Sequence, residues 1–220
     1  MITVHHLDHS RSQRVLWLLE ELGTPYDIAR YQRDPKTMLA PPSLKKVHPL
    51  GKSPVITDGN TTVAESGAIL EYLAETYGDG KLVPAAKTPA YQRYRYFMHY
   101  AEGSLMPFLV LKLVCNKVRT APAPFFIKPI QRRIADGVGQ LFLDPNPREH
   151  AAFLETELGK SEWIAGEFSI ADIQLSYAAE SMMTRGEPGP KLRDFVARCQ
   201  ARPAYKRAQD KGGPTIPSAR

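Results

Sequence analysis

Apolar positions near the N-terminus first alternate and then cluster. Ile2 and Val4 interleave with Thr3 and His5, the period-two pattern of a short strand. From Val15 the period changes: Val15, Leu18, Leu19 and Leu22 fall at i, i+3, i+4 and i+7, one stripe of a helix. Ser10 reads as the N-cap of that helix, with Gln13 completing a capping box, and Gly23 as the residue that stops it. Tyr26 to Tyr31 reads as a second strand, so a parallel β-α-β unit is expected. The segment 34–48 carries Pro35, Pro41 and Pro42 and reads mostly as loop, with room for one short helix. Pro54 to Thr57 and Thr61 to Ala64 are strand patterns around Asp58-Gly59-Asn60, a hairpin turn signal. A helix over about 65–77 then buries Ile69, Leu70 and Leu73.

Gly78-Asp79-Gly80, followed by Pro84 and Pro89, is the clearest break in the chain, and beyond it the strand pattern disappears. Residues 90–118, 125–143, 148–159, 169–184 and 189–201 read as helices separated by proline-rich breaks. The expectation is an α/β domain over 1–80, a linker over 81–88 and an all-helical domain over 89–220. One helix start is heavily specified. Ser169 and Asp172 form a capping box, and Phe168 with Ile173 occupies the positions of a hydrophobic staple. That motif concerns folding rather than catalysis.

At 220 residues and 43% apolar, the chain can bury ordinary globular cores. The N-terminus lacks the charged start and apolar block of a signal peptide. The longest apolar run, Leu105 to Cys115, contains Lys112 and is too short for a bilayer, so a soluble cytoplasmic protein with no membrane partner is expected. Cys115 and Cys199 form no Cys-x-x-Cys, which excludes a dithiol mechanism, and neither has a second Cys or His at metal-ligand spacing. His5 and His6 face opposite sides of a strand, so with His9 they predict no metal cluster. The net charge of +6 is scattered, as at Lys45-Lys46 and Arg132-Arg133, without a basic stripe interleaved with aromatics. A solvated basic surface that attracts small anions fits better than a nucleic-acid partner.

Candidate chemistry concentrates in Gly51-Lys52-Ser53-Pro54-Val55-Ile56 and in Glu65-Ser66, where a helix begins. A helix N-terminus beside a proline-led strand offers amides for an anion and backbone groups for a peptide-like ligand. Ser10 has two readings, helix cap or hydroxyl aimed at an anion. Tyr91, Tyr94, Phe97, Met98, Tyr100, Met106 and Phe108 read mainly as core or subunit contacts, with a few able to line a pocket between the domains.

Over nearly its whole length the chain resembles the glutathione transferases. His48-Pro49-Leu50-Gly51-Lys52-Ser53-Pro54 is similar to the family's Asn-Pro-x-Gly-x-Val-Pro stretch, with His48 at the usual Asn. Ala64-Glu65-Ser66-Gly67-Ala68-Ile69 resembles its glutamate-serine helix start, and Trp163-Ile164-Ala165-Gly166 through Asp172 its helical-domain capping motif. The resemblance implies a thioredoxin-like domain followed by an all-α domain, a homodimer, and glutathione as co-substrate without a metal. It aligns Ser10 with the serine of the theta-like, bacterial and fungal branches, which donates a hydrogen bond to the glutathione thiolate. It gives Val55, beside a cis Pro54, backbone pairing with the cysteinyl unit. Glu65 and Ser66 are assigned the γ-glutamyl end and Lys52 the glycine carboxylate. Arg11 and Ser12 are neighbouring groups able to address the sulfur. The implied activity is conjugation of partly apolar electrophiles, with hydroperoxide reduction as a related one. A non-enzymatic binding or assembly protein that retained the fold is the alternative.

Overall fold

The computed structural model describes residues 1–143, 145–186 and 188–215. β1 (Ile2–Leu7) leads through α1 (Ser12–Leu22) to β2 (Tyr26–Tyr31), which pairs parallel to β1 from Ile2 opposite Tyr26 to Leu7 opposite Tyr31. β3 (Val55–Asp58) lies antiparallel to β1, and β4 (Thr61–Ala64) antiparallel to β3, giving the order β2-β1-β3-β4. Gly59 supplies the left-handed turn of the hairpin at φ +56°. α2 (Ser66–Tyr77) packs against α1 and the hairpin, burying Ile69, Leu70 and Leu73 as the pattern predicts. This is the thioredoxin-like arrangement.

Three local expectations need correction. Ser10 does not cap α1, and no Ser10–Gln13 capping box forms. His9 adopts φ +52°, and the turn this creates leaves Ser10 outside the helix, which starts at Ser12. The Ser10 hydroxyl instead accepts from the Ser12 amide at 3.2 Å, while the Gln13 side chain is buried without a partner. Pro54 precedes β3 rather than opening it, after a cis Ser53–Pro54 bond. Glu65 precedes α2 at φ +72° instead of joining it.

Beyond residue 80 the described structure is helical apart from two isolated bridges near Trp163. α3 (Pro89–Tyr100) continues through a π-helical turn, Ala101–Leu105, into α4 (Met106–Thr120), the long helix expected over 90–118. α5 (Lys128–Val138) ends in a second π turn, Gly139–Leu143, before α6 (Pro145–Leu158). α7 (Ile170–Arg185) and α8 (Pro190–Ala201) follow. α9 (Pro203–Gly212) is an element the sequence pattern did not reveal. Pro203 looks like a terminator, but it stands at the first turn of α9, where the missing N–H is no loss.

α7 is buried around its whole circumference from Ile170 to Met182. Its polar residues are therefore paired internally. The Asp172 carboxylate accepts from the amides of Ser169 at 2.9 Å and Ile164 at 2.8 Å, and from the Ser169 hydroxyl. The hydrophobic core is continuous across both halves, joining Leu16 and Ile69 to Phe97, Ile173 and Tyr205. Trp17, only 1% exposed, packs edge-on against Tyr205 and beside Phe168. The α3 aromatics Tyr94, Phe97 and Tyr100 are core residues, as are Met98 and Met106. Cys199 is buried and its thiol pushed well up by that burial, which leaves it inert.

Candidate functional site

The start of α2, the loop from His48 to Pro54, the start of α1 and the π turn after α3 meet around a cavity of about 200 Å³. Arg11, Lys52, Pro54, Glu65 and Ser66, all singled out in the sequence, line it. His48, Leu50, Ser53 and Glu102 join them. Ser10, Ser12 and Val55 do not. Val55 is fully buried, with β1 on one side and β4 on the other, so it is Ser53 that faces the cavity ahead of the cis bond.

Ser10 sits immediately behind this wall. Its Oγ lies 3.5 Å from Ser53 Oγ and 2.7 Å from Ser12 Oγ. Ser53 spends its own proton on the His5 carbonyl at 3.0 Å. Ser12 Oγ lies 2.8 Å from His6 Nδ1, and His6 Nε2 lies 2.8 Å from the Gly212 carbonyl at the end of α9.

The opposite wall is built on charge. Arg14, whose side chain is 1% exposed, donates one Nη1 proton to Glu102 at 2.5 Å and shares the other between Ser66 Oγ and Gln174 Oε1, each at 3.2 Å. Arg11 donates to the same carboxylate at 2.9 Å. Both guanidinium groups lie over the Tyr177 ring. Burial pushes the Glu102 carboxyl up, but the charges of Arg14 and Arg11 outweigh it and hold the group below its ordinary range. Glu102 is therefore a carboxylate shared between two cations. Glu102 sits in the π turn, and a periodic sequence pattern carries no sign of such a turn. Ser53 had a signal: it directly precedes the proline of the quoted motif.

Ser66 accepts from Arg14, so its hydroxyl proton stays free to donate into the cavity. The first backbone bond of α2 runs from Ile69 to Glu65 O, which leaves the amides of Ser66, Gly67 and Ala68 without intrahelical partners. The side chain of Glu65, the N-cap residue, does not cap them. The cavity lining adds the cations Arg11 and Lys52 and the carboxylates Glu65 and Glu102, with Arg14 buried behind Ser66 and Glu102. The site thus favours an anionic ligand that also carries a positive group. Among the described residues no group of three or more His, Cys, Asp or Glu could hold a metal, and no helix is long and apolar enough to cross a membrane.

Comparison with known proteins agrees with this geometry. Residues 10–76 match the family model of the glutathione S-transferase N-terminal domain. Glutathione S-transferase 1 of Saccharomyces cerevisiae is 32% identical over 223 residues, covering 96% of this chain and 95% of the relative. Glutathione S-transferase 3 of Schizosaccharomyces pombe is 35% identical over 219 residues, covering 96% and 88%. Among solved structures, a glutathione S-transferase of Actinobacillus pleuropneumoniae superposes with a TM-score of 0.73 at 29% identity, covering 96% of this chain and 93% of its own. A Sulfitobacter glutathione transferase homologue with bound glutathione superposes at 0.70 and 21% identity, covering 97% and 99%, which speaks to the fold. A thioredoxin-like half with an uncapped α2 start, an all-helical half, and full-length relatives of this kind make the chain a member of the glutathione S-transferase family.

Proposed function

We propose that the protein is a glutathione transferase that conjugates the glutathione thiolate to partly apolar electrophiles, a detoxification chemistry. The observation that carries this is the clustering of Arg11, Lys52, Ser53, Glu65, Ser66 and Glu102 around one cavity beside the uncapped α2 start. Glutathione has two carboxylates, one ammonium and a peptide backbone, and each has a counterpart there. In this reading the α2 amides and Ser66 take the γ-glutamyl carboxylate, Glu65 and Glu102 meet the ammonium, and Lys52 takes the glycine carboxylate. Ser53, in place of Val55, presents its backbone to the cysteinyl unit, and Ser10 addresses the sulfur. Arg11 and Ser12 support from either side.

A free thiol with a pKa near 8.5 is only a few per cent ionised at neutral pH. A hydrogen bond from Ser10 expressed only in the thiolate contributes about 1.5–3 kcal/mol, or about one to two pKa units. The thiolate then attacks an electrophilic carbon, and a leaving group departs or a proton adds. Attack on a peroxide oxygen is the related reaction. Ser10→Ala is expected to lower turnover about 10- to 100-fold with glutathione affinity within a few-fold of the original. Unchanged turnover with a standard electrophile rules out this role.

Domain limits of 1–80 and 89–220 with a linker over 81–88, a cytoplasmic location and a homodimer complete the reading. Sedimentation at micromolar concentration checks the dimer. One observation favours a second reading, a binding protein without activity: Ser10 lies behind the cavity wall and not in it. Ultraviolet titration of bound glutathione separates the two, because only the enzyme shifts the thiolate absorbance toward neutral pH.

A further inference from the structure

His6 is only 1% exposed and does not line the candidate site, yet hydrogen bonds connect it to Ser10 through Ser12. The direction of those bonds follows from chemistry. The Gly212 carbonyl can only accept, so His6 Nε2 carries a proton and donates it there. In the neutral ring Nδ1 is then a bare lone pair, and the Ser12 hydroxyl donates to it at 2.8 Å in preference to the Leu7 carbonyl at 3.5 Å. With its proton spent, Ser12 Oγ is an acceptor, so the Ser10 hydroxyl donates to Ser12. Ser10 Oγ already accepts from the Ser12 amide and keeps one lone pair open. In this resting state Ser10 cannot donate to a thiolate. It can only accept from a thiol.

We propose that His6 is the terminal proton acceptor for the glutathione thiol, reached through the hydroxyls of Ser10 and Ser12. This rests on the proposed function above, and it adds a positioning residue that never meets the substrate. The sulfur's proton passes to Ser10 Oγ, Ser10's proton to Ser12 Oγ, and Ser12's proton to His6 Nδ1. The S–H electron pair stays on sulfur, and each oxygen loses one proton and gains one. A neutral thiol and a neutral imidazole become a thiolate and an imidazolium. After transfer every hydroxyl points the other way, so Ser10 now donates to the thiolate. When the sulfur reacts, the same chain returns the proton toward the cavity.

The surroundings of His6 fit this cycle. Burial pushes its pKa down, the Gly212 carbonyl and Asp8 oppose that, and Arg30 on β2 and His9 add to it. The ring is therefore neutral before the ligand arrives, and the new thiolate supplies the opposite charge that a buried imidazolium lacks. Its bonds to α1 and α9, to the Ser12 hydroxyl and the Gly212 carbonyl, are to uncharged groups.

Counting protons tests the relay on the unmodified protein. Glutathione is added in weak buffer near pH 7 with an indicator, and thiolate is followed by ultraviolet absorbance. Retention on His6 predicts less than about half a proton released per thiolate formed. His6→Asn offers Ser12 an acceptor that cannot hold a proton, and Ser12→Ala cuts the chain. In either variant the release is expected to approach about one proton per thiolate, with neutral-pH thiolate down about tenfold. About one proton per thiolate from the unmodified protein, with variants that ionise the thiol equally well, overturns the relay and leaves the proposed function intact. His6 and Ser12 would then be a purely structural tie between α1, β1 and α9. Failure to bind glutathione, or binding without thiolate, overturns both. The count on the unmodified protein decides the matter even if neither variant folds.

Discussion

Glu102 shows how much one side chain can hold in this protein. Its carboxylate is the counter-charge of Arg14, a cation with almost no access to water. Glu102→Gln keeps the shape and some hydrogen bonding but leaves that cation uncompensated. A buried pair broken in this way costs about 3–5 kcal/mol. Near the lower end, the melting temperature of a chain this long drops by about 6–12 °C, which calorimetry would register. A change of under about 2 °C would mean that water already screens the pair. Histidines set a second residue-level effect. Burial holds His5, His6 and His150 below the usual 6.5. As pH falls through about 6.5 the unfolded chain binds protons first, so stability falls toward about pH 6. Asp172 works in the opposite sense below that point, because burial pushes its carboxyl up to about 6. The urea midpoint is expected to drop between about pH 7.5 and 6, and a rise over that interval contradicts the assignment.

Among the elements, the start of α7 is the most exacting. Asp172 joins the cap to the Trp163–Glu167 turn through the Ile164 amide, so it fixes both the helix and the segment that leads into it. Asp172→Ala leaves two buried amides unsatisfied and is expected to cost about 3 kcal/mol, read from chemical unfolding. The proposed glutathione site should survive at low temperature, since Asp172 does not line it. This element was legible in the sequence because a cap is a local device: its residues are neighbours in the chain. β1, α1, β2 and the hairpin were legible for the same reason. The apparent cap on α1 is not one, since Ser10 and Gln13 have the right spacing but the φ +52° turn at His9 withdraws Ser10. α9 is hidden in the sequence because a proline that ends one helix pattern also begins the next. Glu102 and His6 acquire their roles through Arg14 and Gly212, partners far away in sequence that no periodicity reports, and Ser12 meets His6 only through the bend between β1 and α1.

The molecule as a whole behaves as one packed body. Trp17 belongs to the thioredoxin-like half but rests on Phe168 and Tyr205 of the helical half. Ile170 donates to the Leu82 carbonyl, which fastens the expected linker to α7. Ion pairs of Glu20 and Glu21 with Arg207, Lys211 and Arg202 border the α1–α9 contact, although partly exposed pairs add little. A fragment of residues 1–80 is therefore expected not to fold stably and to show red-shifted tryptophan emission. A cooperative melt with blue-shifted emission from that fragment would refute this. The full chain should unfold in a single transition.

Gly212 lies against the first strand with no space for a side chain. A Cβ there would come within 2.4 Å of Gln13 and Leu16 and 3.3 Å of His6. The carbonyl that selects the imidazole tautomer is thus delivered from the far end of the polypeptide. Proteolytic trimming just ahead of residue 212 would release Nε2, let the ring exchange tautomers, and blunt sulfur activation while every cavity-lining residue stays in position.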